Sequence, residues 1–329
     1  MPRVSSPCLA LLAALACGPQ VLSAQEKSLP QRIADVIVQL NGGIHTGFRF
    51  MHAKGVVVTG TFTPASGARS ISTAAHLTGV PVPVTVRFSD GTGIPTIPDT
   101  DTRGAPRGMA IRFTLPGGAF TDIVAISHNG FVVGTGEEFL AFLTAVARTT
   151  ADSPHPNPVE QFLAKHPRAL KFIQDAQPLP ASFATLAYFG NNAFIFVDSA
   201  GTRRAGRYQI LPATGIVNLD SLEASKAGPQ YLFADLPRRL ARGPVRFRLV
   251  AQMANPGDQT SDGSIVWPDD RKVVELGTLA LTAIAPDNEK LQRELTYNPI
   301  FLTSGIQLSD DPMISLRSAV YALSVAHRH

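Results

Sequence analysis

Apolar side chains that recur at every second position are the feature of this sequence that most restricts its fold. The alternation is clearest at Val82, Val84, Val86 and Phe88, which are separated by Pro, Thr and Arg. Further runs with strand character lie at 56–62, 109–113, 193–198, 206–211, 245–253 and 272–284. A period of two residues directs one face of each strand towards a core. So many strands predict an antiparallel β-barrel.

Helices are predicted between and around these strands. Helical spacing of apolar residues occurs at 31–42, 136–149, 158–176, 287–296 and 313–326, with Asp287 as the expected cap of the fourth helix. A segment rich in Gly, Thr, Pro and Asp predicts a loop between Ser89 and Arg107, and Gly201 predicts the turn of a hairpin over 193–211. The expected fold is therefore α+β, an antiparallel β-barrel with added helices, and not a doubly wound sheet.

The first 24 residues have the pattern of a secretory signal. Arg3 precedes an apolar stretch at 9–16, and small residues precede Gln25. This predicts export, in a bacterium to the periplasm, and a mature domain of residues 25–329. Both cysteines, Cys8 and Cys17, lie in the signal, so thiol chemistry is excluded from the mature domain. Lipid anchoring at Cys17 is the less favoured alternative, because the residues before it match a lipobox poorly.

Charge and hydropathy narrow the classes of partner. The formal net charge is +4, and no run of Lys and Arg suggests a nucleic-acid interface. No segment is apolar over the length that stable membrane insertion requires.

Three short patterns carry residues suited to chemistry. His52 follows Arg49 by three residues, and a histidine shuttles protons near neutral pH. Arg87 interrupts an apolar strand, so it either faces solvent or is buried with an anion. Arg317 lies four residues before Tyr321, so the two share a helix face, where the cation would stabilise a phenolate. By pattern alone, a structural histidine and an Arg–Tyr stacking pair are the favoured interpretations, whereas a solvent-facing and a buried arginine are equally open.

Taken in order, these patterns resemble the blocks of the haem catalases. The resemblance covers roughly residues 45–329 and is greatest to the short catalase-related peroxidases, which keep the barrel and the haem pocket. The matching blocks are Arg49-x-x-His-Ala-Lys-Gly55, Val86-Arg-Phe-Ser89, Pro106-Arg-Gly-x-Ala110, Val266-Trp-Pro268, Asn298-Pro-x-x-x-x-x-Gly-Ile306 and Arg317-x-x-x-Tyr321.

This resemblance implies the two catalytic sides of a haem pocket. His52 would be the distal acid–base residue, and Ser89 would hydrogen-bond it and fix its tautomer. Tyr321 would ligate the haem iron from the other side as a tyrosinate. Arg317 would keep that tyrosine ionised.

The resemblance also implies how the cofactor, haem and most simply haem b, would be held. Its propionates would pair with Arg49, Arg87 and Arg328. Phe131 and Phe139 would pack near its distal face.

One segment departs from the catalase pattern. Catalases carry a distal asparagine, whereas an ungapped alignment of the segment 122–129 places Ile126 at that position. A small shift would let Asn129 or Ser127 serve instead, and Asn129 is preferred. Weakened positioning of hydrogen peroxide would make disproportionation slow.

The resemblance therefore implies a haem-dependent peroxidase. It would reduce hydrogen peroxide and organic hydroperoxides with a small organic electron donor and would have weak catalase activity. The arm and helical domain of full catalases have no counterpart here, which is expected to open the pocket to larger molecules. A homo-oligomer is compatible with this interpretation.

Two rival functions remain open. A hydroperoxide isomerase of the allene oxide synthase type has a similar pocket, but it carries Thr where this chain has Met51. A barrel that only carries haem or another apolar ligand would need no distal acid–base residue, which disfavours it given His52.

Overall fold

The computed structural model describes residues 26–175 and 178–328. The predicted signal at 1–24, together with both cysteines, lies outside the described residues. Within the described part of the chain, no helix combines the length and the apolar character that crossing a membrane requires.

The core of the fold is a closed antiparallel barrel of eight strands, which confirms the predicted fold class. Around the barrel the order is β7-β5-β4-β3-β2-β1-β9-β8, and β8 closes the ring by pairing with β7. Two further strands, β6 and β10, extend the sheet beyond β7. The strands are β1 Gly55–Pro64, β2 Val82–Ser89, β3 Gly108–Thr114, β4 Phe120–Ile126, β5 Tyr188–Phe189, β6 Phe194–Val197, β7 Arg203–Pro212, β8 Val245–Met253, β9 Val273–Ile284 and β10 Ile306–Leu308.

The alternation seen in the sequence fills the barrel. Apolar residues at every second position of the strands form one large buried cluster that includes Phe62, Phe88, Phe113 and Phe247. Arg87 lies between two of these buried positions, so its side chain leaves the opposite face of β2, yet it is only 3% exposed. The outer face of this part of the barrel is therefore covered.

Helices provide that cover. In the described part of the chain the helices are α1 Leu29–Leu40, α2 Gly136–Arg148, α3 Pro158–Leu163, α4 Pro167–Gln174, α5 Ser221–Lys226, α6 Tyr231–Arg242, α7 Asn288–Glu294 and α8 Pro312–Ala326. Helices α1, α2 and α8 share a second apolar cluster, separate from the barrel core, to which Ile33, Ile37 and Leu140 belong. The space between α8 and the outer face of β2–β4 holds the candidate site.

Several elements differ from the sequence prediction. The helix predicted at 158–176 is two helices, α3 and α4. Pro167 cannot continue the first helix, and it is the first residue of α4, with His166 as its N-cap. Asp287 stands at the start of α7, but its side chain makes no capping hydrogen bond. The sequence did not predict β4, β5, β10, α5 or α6. Asp122 interrupts the apolar alternation of β4, and Pro237 lies inside α6.

Candidate active site

Two adjoining cavities lie between α8 and the barrel wall. The first, which Arg49 and Arg328 line, and the second, which Phe131 and Phe139 line, are mainly apolar with a few charged groups, as cofactor sites usually are. Six residues line both cavities and so form their junction: Met51, His52, Val124, Ala125, Val320 and Tyr321. The fold thus brings His52 and Tyr321, from opposite ends of the chain, to one space.

His52 has an unusual backbone. Among the described residues it is the only non-glycine with a positive φ, +58°, a conformation that costs free energy and recurs at functional sites. Its Nδ1 lies 3.1 Å from Ser89 Oγ. Burial, followed by the nearby charges of Arg87 and Arg317, lowers the pKa of His52 to about 3. The imidazole is therefore neutral at pH 7 and can accept a proton.

Two glycines make room for this arrangement. Gly108 pairs with Ser89 across β2 and β3, and a Cβ on Gly108 would lie 2.6 Å from Ser89 Oγ and 2.7 Å from His52 Nδ1. Gly55 serves Arg87, because a Cβ there would collide with the Arg87 guanidinium. Its close neighbour is thus an arginine of the site.

Arg317 and Tyr321 face the junction from α8. Arg317 donates from Nε and Nη2 to the Tyr321 phenol oxygen, at 3.2 and 3.0 Å. Two bonds from one cation to one phenol oxygen stabilise the phenolate. Arg317 also donates to Asn192 Oδ1, and Asn192 Nδ2 donates to Asp311 Oδ2 at 2.7 Å. The guanidinium is thereby fixed against the Tyr321 oxygen.

Three arginines surround one end of the first cavity: Arg49, Arg87 and Arg328. Among the ion pairs of the described residues, none involves these three. The Nε atoms of Arg87 and Arg328 are buried without a hydrogen-bond partner. Burial lowers the pKa of Arg87 to about 10; it also lowers the pKa of Arg49 well below its usual range, with a further contribution from the other two cations. Three neighbouring cations, one half-buried and two buried, have no carboxylate partner and form a site suited to an anion.

Backbone carbonyls hold these cations in place. Arg49 donates to the carbonyls of Gln292 and Leu295, and Arg328 donates to that of Arg293 at 3.0 Å. These carbonyls lie at and just beyond the C-terminal end of α7, where the helix dipole favours positive charge.

A narrow, flat wall adjoins the arginines. The strand register aligns Arg87 with Ala110 on β3 and Val124 on β4, and all three line the first cavity. Phe131 and Phe139 line the second cavity with their ring centroids 5.4 Å apart. The predicted cofactor residues therefore line two adjoining, largely apolar cavities, the first of which has a cationic end.

The prediction for Asn129 does not agree with this geometry. Asn129 lines neither cavity, whereas Ile126 lines the second. Ser127 is occupied by hydrogen bonds with the backbone of Arg107. Sequence reasoning missed Asn191 and Asn192, which do line the second cavity. Their adjacent amides just before β6 were the only available signal.

Comparisons with known proteins agree with this geometry. The family model described as Catalase matches residues 46–329. A catalase-related peroxidase of Mycolicibacterium paratuberculosis is 37% identical over 91% of this chain and 94% of its own length. One of Synechococcus elongatus is 33% identical over 87% of this chain and 85% of its own.

Solved structures show the same fold. A fungal catalase superposes with a TM-score of 0.76 at 21% identity, over 99% of this chain and 66% of its own. Catalase A of Saccharomyces cerevisiae gives 0.74 at 20% identity, over 86% of this chain and 62% of its own. The chain thus spans slightly less than two thirds of the length of these catalases.

Proposed function

The chain belongs to the catalase family and is a peroxidase, and we propose that it reduces hydrogen peroxide and organic hydroperoxides with a small electron donor at a haem held between His52 and Tyr321. The single observation that carries the proposal is that a neutral imidazole and an arginine-bound phenol oxygen line the junction of the same two cavities. The three arginines without carboxylate partners close one end of that space.

The residues present fit a haem, most simply haem b. A haem is flat and apolar and carries two carboxylates on one edge. Arg49, Arg87 and Arg328 would pair with those carboxylates and give the orphaned Nε atoms an acceptor. Phe131 and Phe139 would pack against the apolar part, and Tyr321 would ligate the iron. Bound haem would supply the redox-active iron at which the peroxide O–O bond is cleaved.

His52 would move the proton that this cleavage requires. With its Nδ1–H donating to Ser89 Oγ, the ring would use Nε2 to accept a proton from the peroxide oxygen that is not the leaving one. The same imidazole would then deliver that proton to the departing oxygen, so that alcohol or water leaves instead of an anion. A lowered pKa suits this role, because the imidazole begins neutral.

Tyr321 would act through the charge of its oxygen. Arg317 donates two hydrogen bonds to that oxygen, and as an anionic ligand the oxygen would donate electron density to an iron centre. Arg317 would therefore be a positioning residue, since it acts on the iron through the tyrosine.

Disproportionation of hydrogen peroxide should be slow, because the position of the distal asparagine of catalases is occupied by Ile126. Ile126 lines the second cavity, and its side chain offers no hydrogen bond to hold a second peroxide molecule. Organic hydroperoxides bind partly through their apolar part and depend less on such a bond. The comparisons support neither the isomerase nor the carrier alternative.

Export is a separate proposal that rests on the sequence of residues 1–24. The charged start, the apolar stretch and the small residues before Gln25 support a signal peptide and a mature domain of residues 25–329. A periplasmic protein would meet peroxides that enter from outside the cell.

Reconstitution with hemin tests the proposed function. Loaded protein should oxidise a small donor at the expense of cumene hydroperoxide, with slow oxygen release from hydrogen peroxide. His52→Ala should keep hemin and lose about 10²- to 10⁴-fold in turnover. His155→Ala, at a surface histidine paired only with Glu160, is the matched control and should be unchanged. Hydroperoxide consumption without donor oxidation would contradict the proposal and support an isomerase.

A further inference from the structure

Four charged side chains form a buried ion cluster close to the candidate active site. They are Lys54, Asp90, Asp99 and Arg107, and their side chains are between 0% and 9% exposed. Lys54 Nζ contacts the Asp99 carboxylate and lies 3.6 Å from Asp90 Oδ2, while Arg107 Nη1 donates to Asp90 Oδ1 at 2.5 Å. Two cations and two anions leave the cluster without net charge.

Three members of the cluster adjoin the residues that surround the catalytic imidazole. Lys54 lies two residues after that histidine. Asp90 directly follows the serine that binds it, and Arg107 directly precedes the glycine that makes room for it. Each of the three chain segments that meet at the imidazole therefore contributes one charge to the cluster.

The fourth member connects the cluster to the rest of the fold. Asp99 Oδ2 accepts a hydrogen bond at 2.8 Å from the backbone N–H of Leu232, in the first turn of α6. A carboxylate is favoured there by the helix dipole. Lys54 Nζ also donates to the carbonyl of Ile97 at 2.8 Å. The cluster therefore ties the 52–54 segment to the loop after β2 and to α6.

Backbone hydrogen bonds continue the same connection up to His52. Asp90 N–H donates to the carbonyl of Lys54 at 3.1 Å, and Ala53 N–H donates to that of Thr92 at 3.0 Å. The N–H of His52 reaches the carbonyl of Gly91 at 3.4 Å, the longest of the three. The left-handed backbone of His52 thus lies at the end of a segment that the cluster fixes.

The cluster does not contact the space in which the reaction would occur. None of its four residues lines either cavity. Burying four charges is costly, and apolar side chains of similar size often give equal stability. Charged pairs restrict geometry more than apolar contacts do, because a lysine and an arginine can pair with two carboxylates in only a few arrangements.

We propose that the buried ion cluster is a positioning device for His52, which holds its backbone in the left-handed conformation and its ring against Ser89. The inference rests on the proposed function in one respect, that His52 transfers the proton. Lys54 and Asp99 are then positioning residues that act on the reaction through His52 alone.

A double-mutant cycle on the hemin-loaded protein tests this. Lys54→Met and Asp99→Asn should each lower the rate constant for reaction with peroxide about 10- to 100-fold, the usual effect of losing such a supporting contact. In a His52→Ala background the same substitutions should change that rate less than about twofold. Asp258→Asn, which breaks an ion pair with Arg271 away from both cavities, is the matched control and should have little effect in either background.

The apoprotein provides a second measurement that does not depend on haem. In histidine-labelled protein, the NMR signal that His52→Ala removes should shift in Lys54→Met and stay in place in Asp258→Asn. Asp99→Asn serves if Lys54→Met does not fold, because the amide oxygen can still accept from Leu232. Equal loss of rate in both backgrounds, or folded variants with normal rate and an unmoved signal, would overturn the proposal. If His52→Ala alone leaves the rate unchanged, the proposed function fails instead.

Discussion

Arg87→Met should separate the folding of this protein from its binding of haem. Arg87 is 3% exposed and has no carboxylate partner, and burial lowers its pKa to about 10. It is charged at pH 7 both folded and unfolded. Because this pKa lies well below the ordinary arginine value, the charge destabilises the folded apoprotein by about 3 kcal/mol, at about 1.4 kcal/mol per pKa unit.

The substitution also removes two hydrogen bonds. Arg87 Nη2 donates to the carbonyl of Ala53 at 3.0 Å and to Gln292 Oε1 at 3.1 Å, together worth about 3 kcal/mol. Gain and loss nearly cancel, so the free energy of unfolding of the apoprotein should change by no more than about 1 kcal/mol. Urea unfolding followed by fluorescence of Trp267, the single tryptophan, measures it.

Hemin affinity should respond differently. Loss of one buried charge-assisted pair costs about 2 kcal/mol or more, so the dissociation constant for hemin should rise roughly 30-fold. Titration of apoprotein with hemin, followed by absorbance, gives this value.

Arg107→Met is the matched control. Arg107 is equally buried but is paired with Asp90, so its removal leaves that buried carboxylate with only Lys54, at 3.6 Å, and should cost about 3 kcal/mol of unfolding free energy. The reasoning is refuted if Arg87→Met destabilises the apoprotein as much as Arg107→Met does, or if its hemin affinity is unchanged.

Three further predictions concern the histidines and the space around them. Since the pKa of His52 is lowered to about 3, the rate of reaction with peroxide should be flat from about pH 5 to 8 and fall only in stronger acid; an inflection near pH 6.5 would contradict this. Burial lowers the pKa of His76 to about 4 from its ordinary 6.5, because the folded protein disfavours the charged ring. As the pH falls from about 6.5 to 4, the unfolded chain takes up this proton first, and the free energy of unfolding should fall by about 3 kcal/mol. In acid urea titrations His76→Phe should therefore be less sensitive than wild type, and equal sensitivity would argue against the buried neutral ring. Gly108→Ala should displace the imidazole and slow peroxide reaction about 10- to 100-fold while hemin still binds, as stopped-flow and hemin titration would show; a normal rate would mean that the Cβ is accommodated.

Features that depend on residues close together in sequence, such as single strands and contacts within one helix, could be predicted from the sequence. Alternation at 82–88 predicted a strand and its buried face, and the spacing of Arg317 and Tyr321 predicted their contact on a helix. The resemblance to catalases brought His52 and Tyr321 together before any geometry was known. The shared cavity wall agrees with that pairing.

What depends on tertiary contacts could not be predicted. Asn192 becomes part of the site only because its amide meets Arg317 across the fold. Asn129 was preferred from its nearness in sequence, but the turn after β4 takes it away from both cavities. Asp122 obscured β4 because its partner, Arg112, is a neighbour only in the folded sheet.

The absorption spectrum of the hemin-loaded protein, compared with that of Tyr321→Phe, tests the central claim most directly. A haem ligated by the Tyr321 oxygen should give a ferric spectrum that changes on addition of peroxide, whereas the phenylalanine variant should lose that spectrum and its turnover. Protein that takes up no hemin, or a Tyr321→Phe variant with an unchanged spectrum and unchanged turnover, would contradict the account.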